Sequence, residues 1–104
     1  MNCINLRKLI DKANEMAAKN IWSDKAYLVN MKIWNADNYN FTACTRLAQY
    51  YKLNDKMLDA KKMYFKALEV YPNDYGVKNN LIELERLQEE NNVYGRINNK
   101  QRLQ

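Results

Sequence analysis

The sequence predicts an all-α protein built from five helices that pack as antiparallel neighbours. Three observations lead there. Apolar residues recur at spacings of three and four in five separate stretches, which marks one face of a helix each time. Helix breakers are scarce, with one Pro and two Gly in 104 residues. The polar breaks between the stretches are short, so consecutive helices must fold back on one another.

The first stretch covers residues 4–19, with Ile4, Leu6, Leu9, Ile10, Ala13, Met16 and Ala17 on its apolar face. Asn20, Ile21 and Trp22 interrupt it, and Ser23 is a good N-cap for the second helix because its hydroxyl can accept from a free backbone N–H. That helix turns Ala26, Tyr27, Val29, Ile33 and Trp34 inward. Residues 35–40 are rich in Asn and Asp and read as a turn. The third helix starts near Phe41 and carries Cys44, Leu47, Ala48, Tyr50 and Tyr51. Asn54 and Asp55 are expected to end it and to cap the fourth, which covers about 56–71 with Met57, Leu58, Ala60, Tyr64, Ala67, Leu68 and Val70. Pro72 stops the fourth helix, since it has no N–H to donate. Asp74 caps a fifth helix, expected to run from Val77 to about Asn92 with Leu81, Ile82, Leu84 and Leu87.

The composition narrows the function classes. With 47% apolar residues the chain can bury one core, and its length fits one domain. It has no apolar run approaching the ~18 residues that suggest a membrane span. The opening MNCINLRKLI lacks the features of a signal peptide, so a cytoplasmic location without membrane association is expected. Histidine is absent, no glycine-rich phosphate loop occurs, and Cys3 and Cys44 make no metal-ligand pattern. A non-enzyme without cofactor or metal is the expectation. Cys44 sits on an apolar face, where cysteine acts as a small hydrophobe. The net charge of +5 is spread along the chain apart from Arg96, Lys100 and Arg102 near the end, so nucleic acid is not the expected partner. Lys56, Lys61, Lys62 and Lys66 read as a solvated outer face among Asp55, Asp59 and Glu69, as do Glu83, Glu85, Glu89 and Glu90 further on. Met16, Met31, Met57 and Met63 are scattered gap fillers, and Trp34 is expected in the core. Abundant Asn, Lys and Tyr points to an AT-rich genome, with a low-GC bacterial source as the expectation.

The helices repeat. Residues 41–74, FTACTRLAQYYKLNDKMLDAKKMYFKALEVYPND, are one unit of a 34-residue period. Along the unit, Cys44, Leu47, Ala48 and Tyr51 give an apolar, leucine, small and aromatic series. Ala60, Tyr64, Ala67 and Pro72 follow as Ala, aromatic, Ala and Pro. This pattern resembles the tetratricopeptide-repeat (TPR) family, the one soft position being Cys44, where that family often has Trp. Each entry has a physical sense. Ala48 and Ala60 let two helices approach closely, Tyr51 and Tyr64 fill the space where they diverge, Ala67 makes room for the next pair, and Pro72 ends the second helix. One period earlier, residues 7–40 form a degenerate repeat: Ile10, Ala13, Ala17, Ala26 and Ile33 match, while Asn14, Asn30 and Asn38 replace the small residue, the aromatic and the Pro. One period later Leu81 and Ile82 fit a first helix, but Tyr94, Asn98 and Gln101 do not fit a second. The expected organisation of the TPR-like domain, residues 1–92, is therefore a repeat at 7–40, a repeat at 41–74 and a capping helix at 75–92, with 93–104 as a basic tail or linker.

The resemblance implies a superhelix whose first helices line a concave groove, and a protein-binding, scaffold role for it. Carried over position by position, the groove would be lined by Lys8, Asp11, Lys12 and Glu15 from the first repeat, by Thr42, Thr45, Arg46, Gln49 and Lys52 from the second, and by Asn79, Asn80 and Glu83 from the capping helix. The surface is polar and mixed in sign, with few aromatic anchors, so micromolar affinity for a peptide or partner protein is expected. The family's clamp for chaperone C-termini needs Lys and Asn where this chain has Asp11 and Glu15, so that role is not expected. The chain is read as an interaction module, acting alone or as the N-terminal adaptor of a longer protein. The alternative is a nucleic-acid-associated protein using Arg46, Lys52, Lys56 and the tail. A homodimer through the C-terminal helix is a further expectation. There Leu81 and Ile82 should face the second repeat, leaving Leu84 and Leu87 on another face, with Val93, Tyr94 and Ile97 beyond.

Overall fold

In the computed structural model, residues 3–102 are described, with side chains for 5–91. The chain forms α1 (Cys3–Ala18), α2 (Asp24–Ala36), α3 (Phe41–Leu53), α4 (Met57–Val70) and α5 (Tyr75–Arg102). Each helix packs mainly on the next one in sequence, and the α3–α4 pair is the most intimate. The array is elongated, 63 × 29 × 22 Å, with a radius of gyration of 16.6 Å, against about 13 Å for a compact chain of 100 residues. All-α architecture with five helices is as the periodicity demanded.

The caps explain most of the boundaries. Ser23 Oγ accepts from Ala26 N at 3.3 Å, Asn40 Oδ1 from Ala43 N at 2.9 Å, and Asp74 Oδ1 from Val77 N at 2.9 Å. The expected cap of α4 is different. Lys56 occupies the N-cap and offers no side-chain acceptor. Asp55 instead closes α3, in the left-handed region at φ 60. Lys56 N reaches Tyr51 O at 2.8 Å and Asp55 N reaches Lys52 O at 3.2 Å, the paired bonds of a Schellman ending. The α1 end is built the same way around Asn20 at φ 55, with Ile21 N bonded to Met16 O and Asn20 N to Ala17 O. Asn and Asp tolerate this conformation better than other non-glycine residues, which is why the turn claims Asp55 before the next helix can.

Two apolar clusters form the core. The first joins α1, α2 and the start of α3 through Ala13, Val29, Ile33 and Ala43, with Leu6, Leu9, Ile10 and Met16 against them. The second joins α3, α4 and α5 through Cys44, Leu47, Ala48, Ala60, Met63, Tyr64, Ala67, Val77, Leu81 and Leu84. Trp34 packs against both and so couples them. Between α2 and α3, Tyr27 stacks on Tyr50 with ring centroids 4.6 Å apart and its hydroxyl lies 3.1 Å from that of Tyr51. Tyr50 in turn donates to Asp24 Oδ1 at 2.5 Å.

Two expectations about α5 need correction. The helix does not stop near Asn92 but continues to Arg102, through the residues read as a tail. Gly95 is the weakest helix former there, and one glycine costs a helix only about 1 kcal/mol. The inward residues are Val77, Leu81 and Leu84, spaced four and three apart, with Leu84 fully buried; Ile82 is 65% exposed. It is Leu84, not Ile82, that faces α4, because a helical face repeats at three and four residues and never at one. Val93, Tyr94 and Ile97 lie outside the residues whose side chains are described. Among the described residues no helix is long and apolar enough to cross a membrane.

Cys44 is fully buried and donates to Met63 O at 2.8 Å. Burial pushes its thiol up to about 11. An unfolded thiol titrates near 8.5, so the folded chain holds this proton more tightly than the unfolded one. The contribution is complete below about pH 8.5 and is lost as pH rises toward 11, by up to about 1.4 kcal/mol per pH unit. Denaturation midpoints should therefore fall from pH 8 to pH 10, and in a Cys3→Ser background Cys44 should resist thiol reagents until the chain opens. Rapid labelling under native conditions would contradict this burial.

Candidate partner-binding groove

The sequence points to twelve polar residues on three alternate helices, and the structure divides them. On α1, Lys8 and Lys12 flank Leu9 and share a surface depression with Asn5 and with Lys32 of α2. Asp11 and Glu15 are exposed, and Glu15 is paired with Lys19 at 2.9 Å, one turn away. That hydrogen bond is the main reason the Glu15 carboxyl lies below the usual range, with the charge of Lys19 next. Such a pair on an open helix surface contributes little to stability.

The α3 residues form one stripe. Thr42, Thr45, Arg46 and Gln49 recur at three and four residues on the side away from Cys44, Leu47 and Tyr51, and Lys52 continues the stripe toward the C-terminal end of α3. Thr45 Oγ1 donates to Thr42 O at 3.0 Å, a bond internal to the helix. Arg46 is half-buried and reaches across to α1, where its Nη1 donates to Asn14 Oδ1 at 2.8 Å. Desolvation makes its guanidinium slightly easier to deprotonate, but arginine stays charged at any physiological pH. At the other end of the stripe Lys52 acts on Glu83 of α5. The Glu83 carboxyl is lowered first by its hydrogen bonds from Arg86, at 2.7 and 3.1 Å, and to a smaller extent by the charge of Lys52. Arg86 also bonds Glu90 one turn on. Asn79 is exposed beside this network, and Asn80 is partly buried.

On this side Asn14 of α1 meets Arg46 of α3, and the charge of Lys52 on α3 acts on Glu83 of α5. Lys8 and Lys12 belong to the α1–α2 flank. Thr42 and Arg46 also border a cleft on this side whose other lining residues were not among those expected in the groove. A cavity of about 130 Å³ opens between α1, α2 and α3, lined by Ile10, Ala13, Asn14, Asn30, Ile33, Asn40, Thr42, Ala43 and Arg46. Asn14 and Asn30 were visible in the sequence as departures from the repeat pattern. Nothing in their spacing said that both border one cavity.

No protein-family model matches the chain, and a comparison with curated proteins finds no significant match.

Proposed function

We propose that the chain is a non-catalytic interaction module, two TPR-like helix pairs closed by α5, that receives a peptide or partner protein along the side shared by α1, α3 and α5. One observation carries this reading: Arg46 of α3 reaches Asn14 of α1 by a hydrogen bond across the array, while the charge of Lys52 on α3 acts on Glu83 of α5. The amide, hydroxyl and guanidinium groups there suit hydrogen bonding to an extended backbone. The 34-residue match supports the repeat assignment, and a cytoplasmic setting suits the reading.

Double charge reversal, Arg46→Glu with Lys52→Glu, is expected to weaken capture of the partner by about tenfold or more while far-UV circular dichroism stays the same. Equal capture by both proteins would move the site away from α3. Salt separates this reading from nucleic-acid binding. A nucleic-acid complex loses affinity steeply and linearly on a log–log salt plot, and a groove–peptide complex does not.

A second copy of the chain, docking on α5, would use Ile82 rather than the buried Leu84. Sedimentation at micromolar concentration should then show a concentration-dependent dimer that Ile82→Glu loses. A clean monomer in the wild type removes the homodimer.

A further inference from the structure

Among the described residues, α3 is covered on two sides and α5 on one. The two helices stand one 34-residue period apart, so their positions correspond. Ala43 and Leu47 of α3 are buried, and so are their counterparts Val77 and Leu81 of α5. The other side of α3 carries Cys44 and Ala48, both fully buried, and α4 covers it: Cys44 Sγ donates to Met63 O. The counterparts on α5, Lys78 and Ile82, are exposed. No further helix lies against them among the described residues, because α5 runs on where α3 turns back after Leu53. Asp55, which makes that turn at φ 60, is matched by Glu89 inside the helix. Phe65 of α4 is exposed as well, whereas its counterpart Met31 on α2 packs against the second apolar cluster.

The open side of α5 has a pattern. Tyr75, Lys78, Ile82, Glu85 and Glu89 are all exposed and recur at three, four, three and four residues, the spacing of a helix–helix seam. Ile82 stands at its centre. Read backwards about Ile82, the series brings Lys78 into the same turn as Glu85, and Tyr75 onto Glu89. The neighbouring charges are engaged elsewhere, since Arg86 holds Glu83 and Glu90 within α5 itself. Neither Lys78 nor Glu85 has an ion pair among the described residues. Lys78 Nζ makes one long contact, to Asn73 Oδ1 at 3.5 Å.

We propose that this side of α5 pairs with the same side of a second copy of the chain, the two helices antiparallel about a two-fold axis at Ile82. Ile82 packs on its own symmetry mate. Lys78 meets Glu85 of the other copy, and the axis repeats that pair in reverse. The Tyr75 hydroxyl donates to the carboxylate of the other Glu89. Charge decides the direction. In a parallel pair Lys78 would face Lys78 and Glu85 would face Glu85, like against like. Antiparallel is also how α4 runs along the corresponding side of α3, across a short turn, so a helix of that orientation fits there. The proposal rests on the homodimer reading above and supplies its orientation and contacts. The seam spans about four turns with one aliphatic side chain from each copy, so the contact is small. It belongs with transient interfaces, with a dissociation constant on the order of 10–100 µM.

Charge swaps in the full chain test it. Lys78→Glu alone and Glu85→Lys alone each set like charges face to face at both ends of the axis. Each should weaken self-association by about tenfold or more, with far-UV circular dichroism unchanged. Mixed in equal amounts, the two variants should pair with each other about as tightly as the wild type pairs with itself, because each offers the charge that the other lacks. Sedimentation equilibrium from about 5 to 500 µM reads the wild type, each variant and the mixture. Low salt keeps these exposed pairs from being screened. A dimer indifferent to both substitutions overturns the antiparallel seam and leaves the homodimer reading standing. Two weakened variants whose mixture does not recover overturn the seam in the same way. A wild-type chain that is monomeric throughout this range overturns both. The groove reading is tested apart from these, at Arg46 and Lys52 of α3.

Discussion

Tyr64→Ala is expected to destabilise the chain by about 3–5 kcal/mol, the range for removing a buried aromatic ring. The residue lies at the centre of the larger apolar cluster with Leu47, Ala60 and Leu84, and the volume it vacates is enclosed by three helices. Small one-dimensional arrays sit near the low end of the usual 5–15 kcal/mol, so this loss takes most of the stability. Urea unfolding followed by circular dichroism should show the transition shifted to very low denaturant or absent. Tyr64→Phe keeps the ring and should stay within about 1 kcal/mol of the wild type. A Tyr64→Ala protein with a midpoint close to the wild type would mean that α4 and α5 are not packed around this side chain.

Ala60→Leu and Ala67→Leu are each expected to cost about 1–3 kcal/mol through overpacking. Both alanines are fully buried. Ala60 lies where α4 presses against α3, and Ala67 is grouped with Val77 and Leu81 of α5 in the same cluster. A larger side chain at either position must push a helix outward, because neither site borders a described cavity. The two variants test different contacts, α3 against α4 and α4 against α5. Unchanged midpoints in both would remove the 34-residue register, since that register is what marks these two alanines as close-approach positions.

The caps and cores show which signals were local. Ser23, Asn40 and Asp74 cap helices because a short acceptor before an apolar stretch can reach a backbone N–H three residues on, and no distant contact is needed. Asp55 carries the same local signal and was taken by the Schellman ending of α3 instead, a competition settled by which turn formed. On α5, Leu81, Ile82, Leu84 and Leu87 cover more than one face, so periodicity alone left two choices for the inward side. Contact with α4 selected Val77, Leu81 and Leu84 and turned Ile82 to solvent.

The candidate site divides in the same way. The family resemblance named Thr42, Thr45, Arg46 and Gln49, and helical spacing puts them on one stripe, because residues three and four apart share a face in any α-helix. The bond from Arg46 to Asn14 and the company of Lys8 with Lys32 did not follow, because they depend on how α1 is rotated against α2 and α3.

By itself, the sequence determined five helices, their order, their short turns and most of the residues that each one buries. These are set by backbone propensity and by periodicities of three and four, which act within a few residues. Only the tertiary structure decided that Asn14, Asn30 and Arg46 surround one cavity and that Asn30 carries an acceptor with no partner. That arrangement needs α1, α2 and α3 at fixed distances and rotations, which come from packing Ala13, Ile33 and Ala43 against one another. Packing between residues far apart in the chain leaves no local pattern to read.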